Sequence, residues 1–188
     1  CINKVIGYSF NFNNNENNNN VTRIPCIVTE NHEKTLESFF SDKSQNALNN
    51  TEKAQIITEI LLGMRYLHSM NISHKNLNPS SIYLSKSGNH AKIADIGTSD
   101  YNTNNSFASP ELLREMAKEN NNESLKYYDK NDLIEFNKKC DVFAFGCLVY
   151  YILSDGLIPT SEQKQKGGNV LNENKNRFNN VAKEIIQT

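Results

Sequence analysis

The stretch from Ile72 to Gly97, ISHKNLNPSSIYLSKSGNHAKIADIG, constrains this chain more than any other, because it sets a loop, a tight hairpin and an acidic turn in succession. Its second half reads as strand, turn at Ser87-Gly88-Asn89, and strand. The hairpin closes on Asp95-Ile96-Gly97, where a glycine without Cβ permits a sharp backbone beside a carboxylate. The preceding segment, TEKAQIITEILLGMRYLHSM from Thr51 to Met70, places Ile57, Ile60, Leu61, Met64 and Leu67 at helical spacing. Glu52 falls in its first turn and Asn71 at its stop. This is a core helix whose methionines pack. A shorter helix is expected at TLESFF from Thr35, and two strands before it, INKVIGYSFN and RIPCIVTE.

The chain has 188 residues, enough for one domain with a core or most of a larger one. It starts at Cys1, which reads as a piece of a longer protein. A formal charge of -1 gives no electrostatic case for nucleic acid or anionic membrane. Cys1, Cys26, Cys140 and Cys147 show no zinc-like spacing. Cys140 and Cys147 would lie roughly 10 Å apart along a helix, too far to bridge. Reduced thiols in a cytoplasmic compartment follow. The longest apolar run, Val142 to Leu153, is shorter than the ~20 residues of a membrane span and reads as a buried helix. Asparagine makes up roughly a sixth of the chain, and its tracts at 11–20, 120–123 and from Asn172 read as solvated insertions.

The stretch from Ile72 to Gly97 resembles the catalytic loop and magnesium turn of the eukaryotic protein kinases. His74 stands for the histidine of that family's His-Arg-Asp, Leu77 and Pro79 for its Leu-Lys-Pro, and Asp95-Ile96-Gly97 for its Asp-Phe-Gly. KKCDVFAFGCLVYYILSDG resembles its Ser-Asp-Val-Trp-Ser-Phe-Gly and the buried helix that follows, and Ser109-Pro110-Glu111 its Ala-Pro-Glu. The implied fold is α+β: residues 1–34 would be the end of the small lobe and the hinge, and residues 35–188 the helical large lobe. No Gly-x-Gly-x-x-Gly loop stands among the eight glycines.

The departures fall on the chemistry. The family's catalytic aspartate is Asn76 here, its phosphate-contacting lysine is Asn78 and its metal-binding asparagine is Ser81. An amide cannot accept the hydroxyl proton, and general base catalysis is typically worth ~10²–10⁴-fold. Asn78 brings no positive charge to a phosphoryl group, and Ser81 would reach magnesium only through a shift or a bridging water. Asp95 could still hold one magnesium ion on nucleotide phosphates; its plainer reading is a turn aspartate.

The resemblance also puts Thr29 at the gatekeeper and Glu30, Asn31 and His32 at the hinge that meets adenine. Thr29 reads equally as a strand residue, and His32 as a solvated loop histidine. His74, Gly97 and Glu111 take structural positions, as does His68 at its helix end. Lys75 sits where an arginine would meet a phosphorylated activation loop, and Thr98, Ser99, Tyr101, Thr103 and Ser106 are hydroxyls within that loop. Asp141 matches the aspartate that ties its helix to the catalytic-loop backbone, with a compatible role as helix N-cap. The stretch SLKYYDKNDLIEF before it reads as inserted.

Weaker strings, TLESFF, YLHSMNISH, CLVYYILSDGLIPT, GGNVLNENKN and VAKEIIQT, are similar to the unfolded-protein-response kinase-ribonucleases and the 2-5A-dependent ribonuclease. There the kinase domain binds nucleotide, forms a homodimer and controls an attached module. The expectation is a pseudokinase that regulates a protein partner or attached effector domain, with ATP and Mg as its cofactors. The alternatives are a divergent active serine/threonine kinase and the regulatory domain of a stress-sensing kinase-ribonuclease.

Overall fold

A computed structural model describes residues 1–14, 21–42, 44, 47–85, 90–96, 106–119 and 129–159. Gly97, the hydroxyls from Thr98 to Thr103, the turn at Ser87-Gly88-Asn89 and the strings after residue 159 lie outside the described residues. The architecture is α+β and mostly helical.

The first two strands, β1 (Val5–Asn14) and β2 (Val21–Thr29), pair antiparallel from Val5↔Thr29 to Asn14↔Val21. The Asn-rich tract was expected to be excursion from Asn11 onward, yet strand pairing runs on through Asn14. Backbone pairing of the flanking β-branched residues carries the asparagines into the ladder, because each still offers an N–H and a C=O. Most described side chains of this ribbon face solvent, with Tyr8 83% and Ile27 68% exposed and Cys26 half-buried.

A second sheet orders β3 (Lys34–Thr35), β4 (Ile82–Leu84) and β5 (Ala91–Ile93). The predicted hairpin is the pair β4 and β5, with Ile82 opposite Ile93. Both strands alternate buried, half-buried, buried, so one face meets the core. The chain start runs beside β5: Ile93 N–H donates to Cys1 O at 2.9 Å, and Asn3 N–H donates to Ile93 O at 2.7 Å.

The short helix α1 (Leu36–Ser41) opens on a capping box between Thr35 and Ser38. Helix α2 (Asn50–Ser69) opens on a second one, in which Asn49 accepts from the Glu52 amide and Glu52 reaches back to Asn49. It ends in a Schellman motif: Asn71 takes the left-handed conformation, and Ile72 N–H donates to Leu67 O at 2.9 Å. Gly63 of α2 allows a close approach, since a Cβ there would lie 2.9 Å from both Cys1 O and Ile93 Cδ1.

After α3 (Pro110–Glu119), the helix α4 runs Lys130–Leu153. One expectation is corrected by its length: Asp141 lies in its interior, while the N-cap position is Asp129. KNDLIEF forms the start of this helix. The polar start stays helical because Leu133, Ile134 and Phe136 cover one side at helical spacing and are half-buried. Fully buried Leu148 and Ile152 of α4 share one apolar cluster with Ile56 and Ile60 of α2 and Ile82 and Ile93 of the sheet.

Helix α4 ends on its own Schellman motif, with Asp155 left-handed and Gly156 N–H donating to Tyr151 O at 2.8 Å. Gly156 has φ +93°, and a Cβ there would stand 2.8 Å from Phe40 Cβ. Phe40 is itself packed edge-on against Tyr151 at 5.4 Å. Gly156→Ala is therefore expected to lose about 1–3 kcal/mol from backbone strain and overpacking. Thermal denaturation reads this directly, and an unchanged midpoint would contradict the packing described.

Candidate functional site

The loop between α2 and β4 is fixed from behind by one carboxylate. Asp141 is 2% exposed, and its Oδ2 accepts the His74 N–H at 2.7 Å while Oδ1 accepts the Lys75 N–H at 2.8 Å. His68 Nε2 reaches Oδ2 at 2.9 Å. Lys75 has φ 71°, a conformation costly for a long side chain, and the Asp141 bond to its amide helps to hold it. The Lys75 side chain points outward and is exposed.

His74 connects this loop to the strand end. Its buried ring donates from Nε2 to Ala94 O at 2.8 Å, and Nδ1 accepts the Asn76 N–H at 3.3 Å. Burial lowers the imidazole pKa, favouring the neutral ring that can both donate and accept. Ala94 N–H in turn donates to Ser81 O at 2.9 Å. Asp95, next in the chain, is left-handed with φ 58°, a region aspartate enters more readily than most residues.

Asn76, Asn78 and Ser81 come together in one compact knot. Asn78 is the N-cap of a 3-10 turn over Pro79–Ser81, where proline at the first position needs no amide partner. The Asn78 Oδ1 accepts the Ser80 N–H at 2.9 Å and the Ser80 hydroxyl at 2.5 Å. Its Nδ2 donates to Asn76 O at 2.9 Å and to Asn76 Oδ1 at 3.0 Å. Ser81 Oγ accepts the Asn78 N–H at 3.1 Å and donates to Asn78 O at 2.9 Å. The Ser81 hydroxyl and most of the Asn78 amide are thus occupied by the turn.

The residues expected at the hinge lie beside the middle of β5. Glu30 accepts from Lys92 Nζ at 2.6 Å and from the Lys4 amide at 2.7 Å. The Lys92 hydrogen bond, then that of Lys4, holds its carboxyl below the usual glutamate pKa. Thr29 is exposed, and its hydroxyl meets Glu30 O at 3.4 Å.

His32 departs from the solvated histidine expected of a loop. Its side chain is 9% exposed, Nε2 donates to Asn3 Oδ1 at 2.8 Å, and the ring lies 5.6 Å from that of Tyr83. The aromatic neighbour and the amide acceptor give the ring more than water would. Glu111 lies exposed in the first turn of α3, behind Ser109, whose Oγ accepts the Leu112 N–H at 3.1 Å as a cap.

Lys92 was not anticipated, although the half-buried middle position of β5 singles it out as the strand's outward residue. For a nucleotide with magnesium, Asp95 is the residue at the loop and turn suited to the cation, because magnesium takes one or two carboxylates and fills its shell with phosphate oxygens and water. No helix among the described residues is long and apolar enough to cross a membrane.

The family model described as protein tyrosine and serine/threonine kinase matches residues 16–185. The chain is 32% identical over 122 residues to the serine/threonine-protein kinase RAD53 of Saccharomyces cerevisiae, covering 59% of this chain and 14% of that protein. It is 27% identical over 142 residues to the sensor for unfolded proteins in the ER, ire1, of Schizosaccharomyces pombe, covering 63% of this chain and 13% of that protein. With the serine/threonine-protein kinase/endoribonuclease IRE1 of Oryza sativa subsp. japonica it shares 24% identity over 143 residues, 68% of this chain and 14% of that protein. The chain therefore spans only a small part of the length of these relatives.

Proposed function

The chain belongs to the protein tyrosine and serine/threonine kinase family, and from that premise we propose that it acts as a catalytically impaired kinase domain, a pseudokinase that regulates a partner or an attached domain according to nucleotide occupancy. One observation carries the reading. At the positions matching the family's catalytic aspartate and lysine, two neutral amides are hydrogen-bonded to each other, and the serine matching its metal-binding asparagine spends its proton on the turn. In phosphoryl transfer the protein chiefly positions groups and neutralises charge. Here the loop keeps the positioning and has lost the charges.

In this reading residues 1–34 end the small lobe and residues 35–188 form the large lobe. Thr29, Glu30 and His32 mark the hinge, where backbone groups would meet adenine, and Asp95 would hold magnesium on the phosphates when both are bound. Tying Glu30 to Lys92 and His32 to Asn3 keeps that backbone in place. The compartment is the cytoplasmic side.

A second reading is favoured by two relatives named as unfolded-protein sensor and kinase/endoribonuclease: a regulatory domain that pairs with a second copy and controls an attached nuclease. The sequence following Thr188 in the full-length protein tests it, and the absence of any nuclease segment there would remove it.

For the first reading, the full-length protein should melt higher with ATP and magnesium than without. Binding to the native state alone adds ~2.7 kcal/mol at a hundredfold excess over the dissociation constant. A flat response from folded protein would leave a kinase-shaped scaffold and overturn the nucleotide reading.

A further inference from the structure

The knot at the loop fixes which way the Asn76 amide faces. The Asn78 side chain cannot be turned over, because its Oδ1 meets the Ser80 backbone N–H and its Nδ2 meets the Asn76 backbone carbonyl. A flip would set oxygen against oxygen and N–H against N–H. Asn78 Nδ2 is therefore the group that faces Asn76, and only the Asn76 oxygen can meet it, at 3.0 Å. This leaves the Asn76 Nδ2 pointing away from the knot. Asn76 is half-buried, and its Nδ2 makes no hydrogen bond to the described residues.

We propose that Asn76 is a phosphate-reading residue, whose Nδ2 donates to the terminal phosphoryl oxygens of a bound nucleoside triphosphate. The inference rests on the nucleotide-binding reading above and specifies how the loop takes part in it. A carboxylate at this position offers acceptors alone and carries a charge that opposes phosphate. The amide held by Asn78 offers two N–H donors and no charge, so the loop changes from a proton acceptor into a hydrogen-bond donor. Phosphoryl oxygens only accept, which makes them the complementary group.

Two variants of the full-length protein test this, with binding measured by calorimetry in EDTA for ATP and, as internal control, adenosine. Asn76→Ala removes the donor without adding charge and should weaken ATP about tenfold to a hundredfold, a range set by one hydrogen bond to a charged acceptor. Asn76→Asp keeps the shape and the bond from Asn78 but turns the outward group into an acceptor, and should weaken ATP by more than alanine does. Adenosine should bind all three proteins alike. If Asn76→Ala binds ATP as the unaltered protein does, the donor contact does not exist and the proposal falls while the nucleotide reading stands. If adenosine and ATP both fail to bind the unaltered protein, with or without magnesium, both fall together.

Discussion

Asp141→Ala is expected to cost about 3–5 kcal/mol, the range seen when a buried charge network loses one member. The carboxylate is the common acceptor for the His74 and Lys75 amides and the neighbour of His68. Alanine would leave the buried His74 amide unsatisfied, at about 1–3 kcal/mol, and would release Lys75 from a left-handed conformation held in part by that bond. Asp141→Asn keeps one acceptor oxygen but sets an NH2 group against the other amide, so its loss should be smaller than that of alanine. Urea denaturation separates the two through their midpoints at constant slope. A loss below about 1 kcal/mol for alanine, the size of a single ordinary hydrogen bond, would mean that the loop is held by something else.

The second large effect concerns activity. Asn76→Asp together with Asn78→Lys should raise phosphotransfer by the full-length protein from background by about 10²–10⁴-fold, the usual worth of a positioned general base. The gain should come at a cost, because Asn78 is the cap of the Pro79–Ser81 turn. Lysine cannot accept from the Ser80 amide, and losing such a cap removes about 0.5–2 kcal/mol. Asn76→Asp alone should leave the fold intact, since its oxygen still accepts from Asn78. A full-length protein already active, and silenced by Asn76→Ala, would instead identify a divergent kinase that uses the amide, and the impaired reading would be wrong.

The local part of this fold was legible in the chain. Helix α2 was readable because apolar side chains recur at its period and Glu52 marks the first turn; its boundaries moved only to Asn50–Ser69, while Leu61 and Met70, expected to pack, are exposed. The pair β4 and β5 was readable from its flanking turn. The start of α4 was not, since KNDLIEFNKKC is polar enough to pass for a loop and becomes helical by resting a few half-buried side chains on the rest of the fold. That extension put Asp141 mid-helix, where local signals for a cap do not apply.

The site was legible in its frame and less so in its bonding. By position Asn78 stands for a missing lysine, although Asn-Pro-Ser-Ser also spells a capped turn. The neighbours that bury His32, Asn3 and Tyr83, are remote from it in sequence. The Glu30 to Lys92 pair spans 62 positions, beyond the reach of any periodicity.

Strand β5 carries the tie to Glu30 at Lys92 and, immediately beyond its end, the loop tie at Ala94. Two residues of extended chain separate them by roughly 7 Å, and that backbone is pinned on one side by β4 and on the other by Asn3 and Cys1. Such a short, doubly braced span acts as a strut, so a displacement at one end is felt at the other with little loss. Under the proposed nucleotide reading, thermodynamic reciprocity then sets a symmetric rule: whatever tightens the loop strengthens nucleotide binding at Glu30 to His32 by the same factor with which the nucleotide tightens the loop.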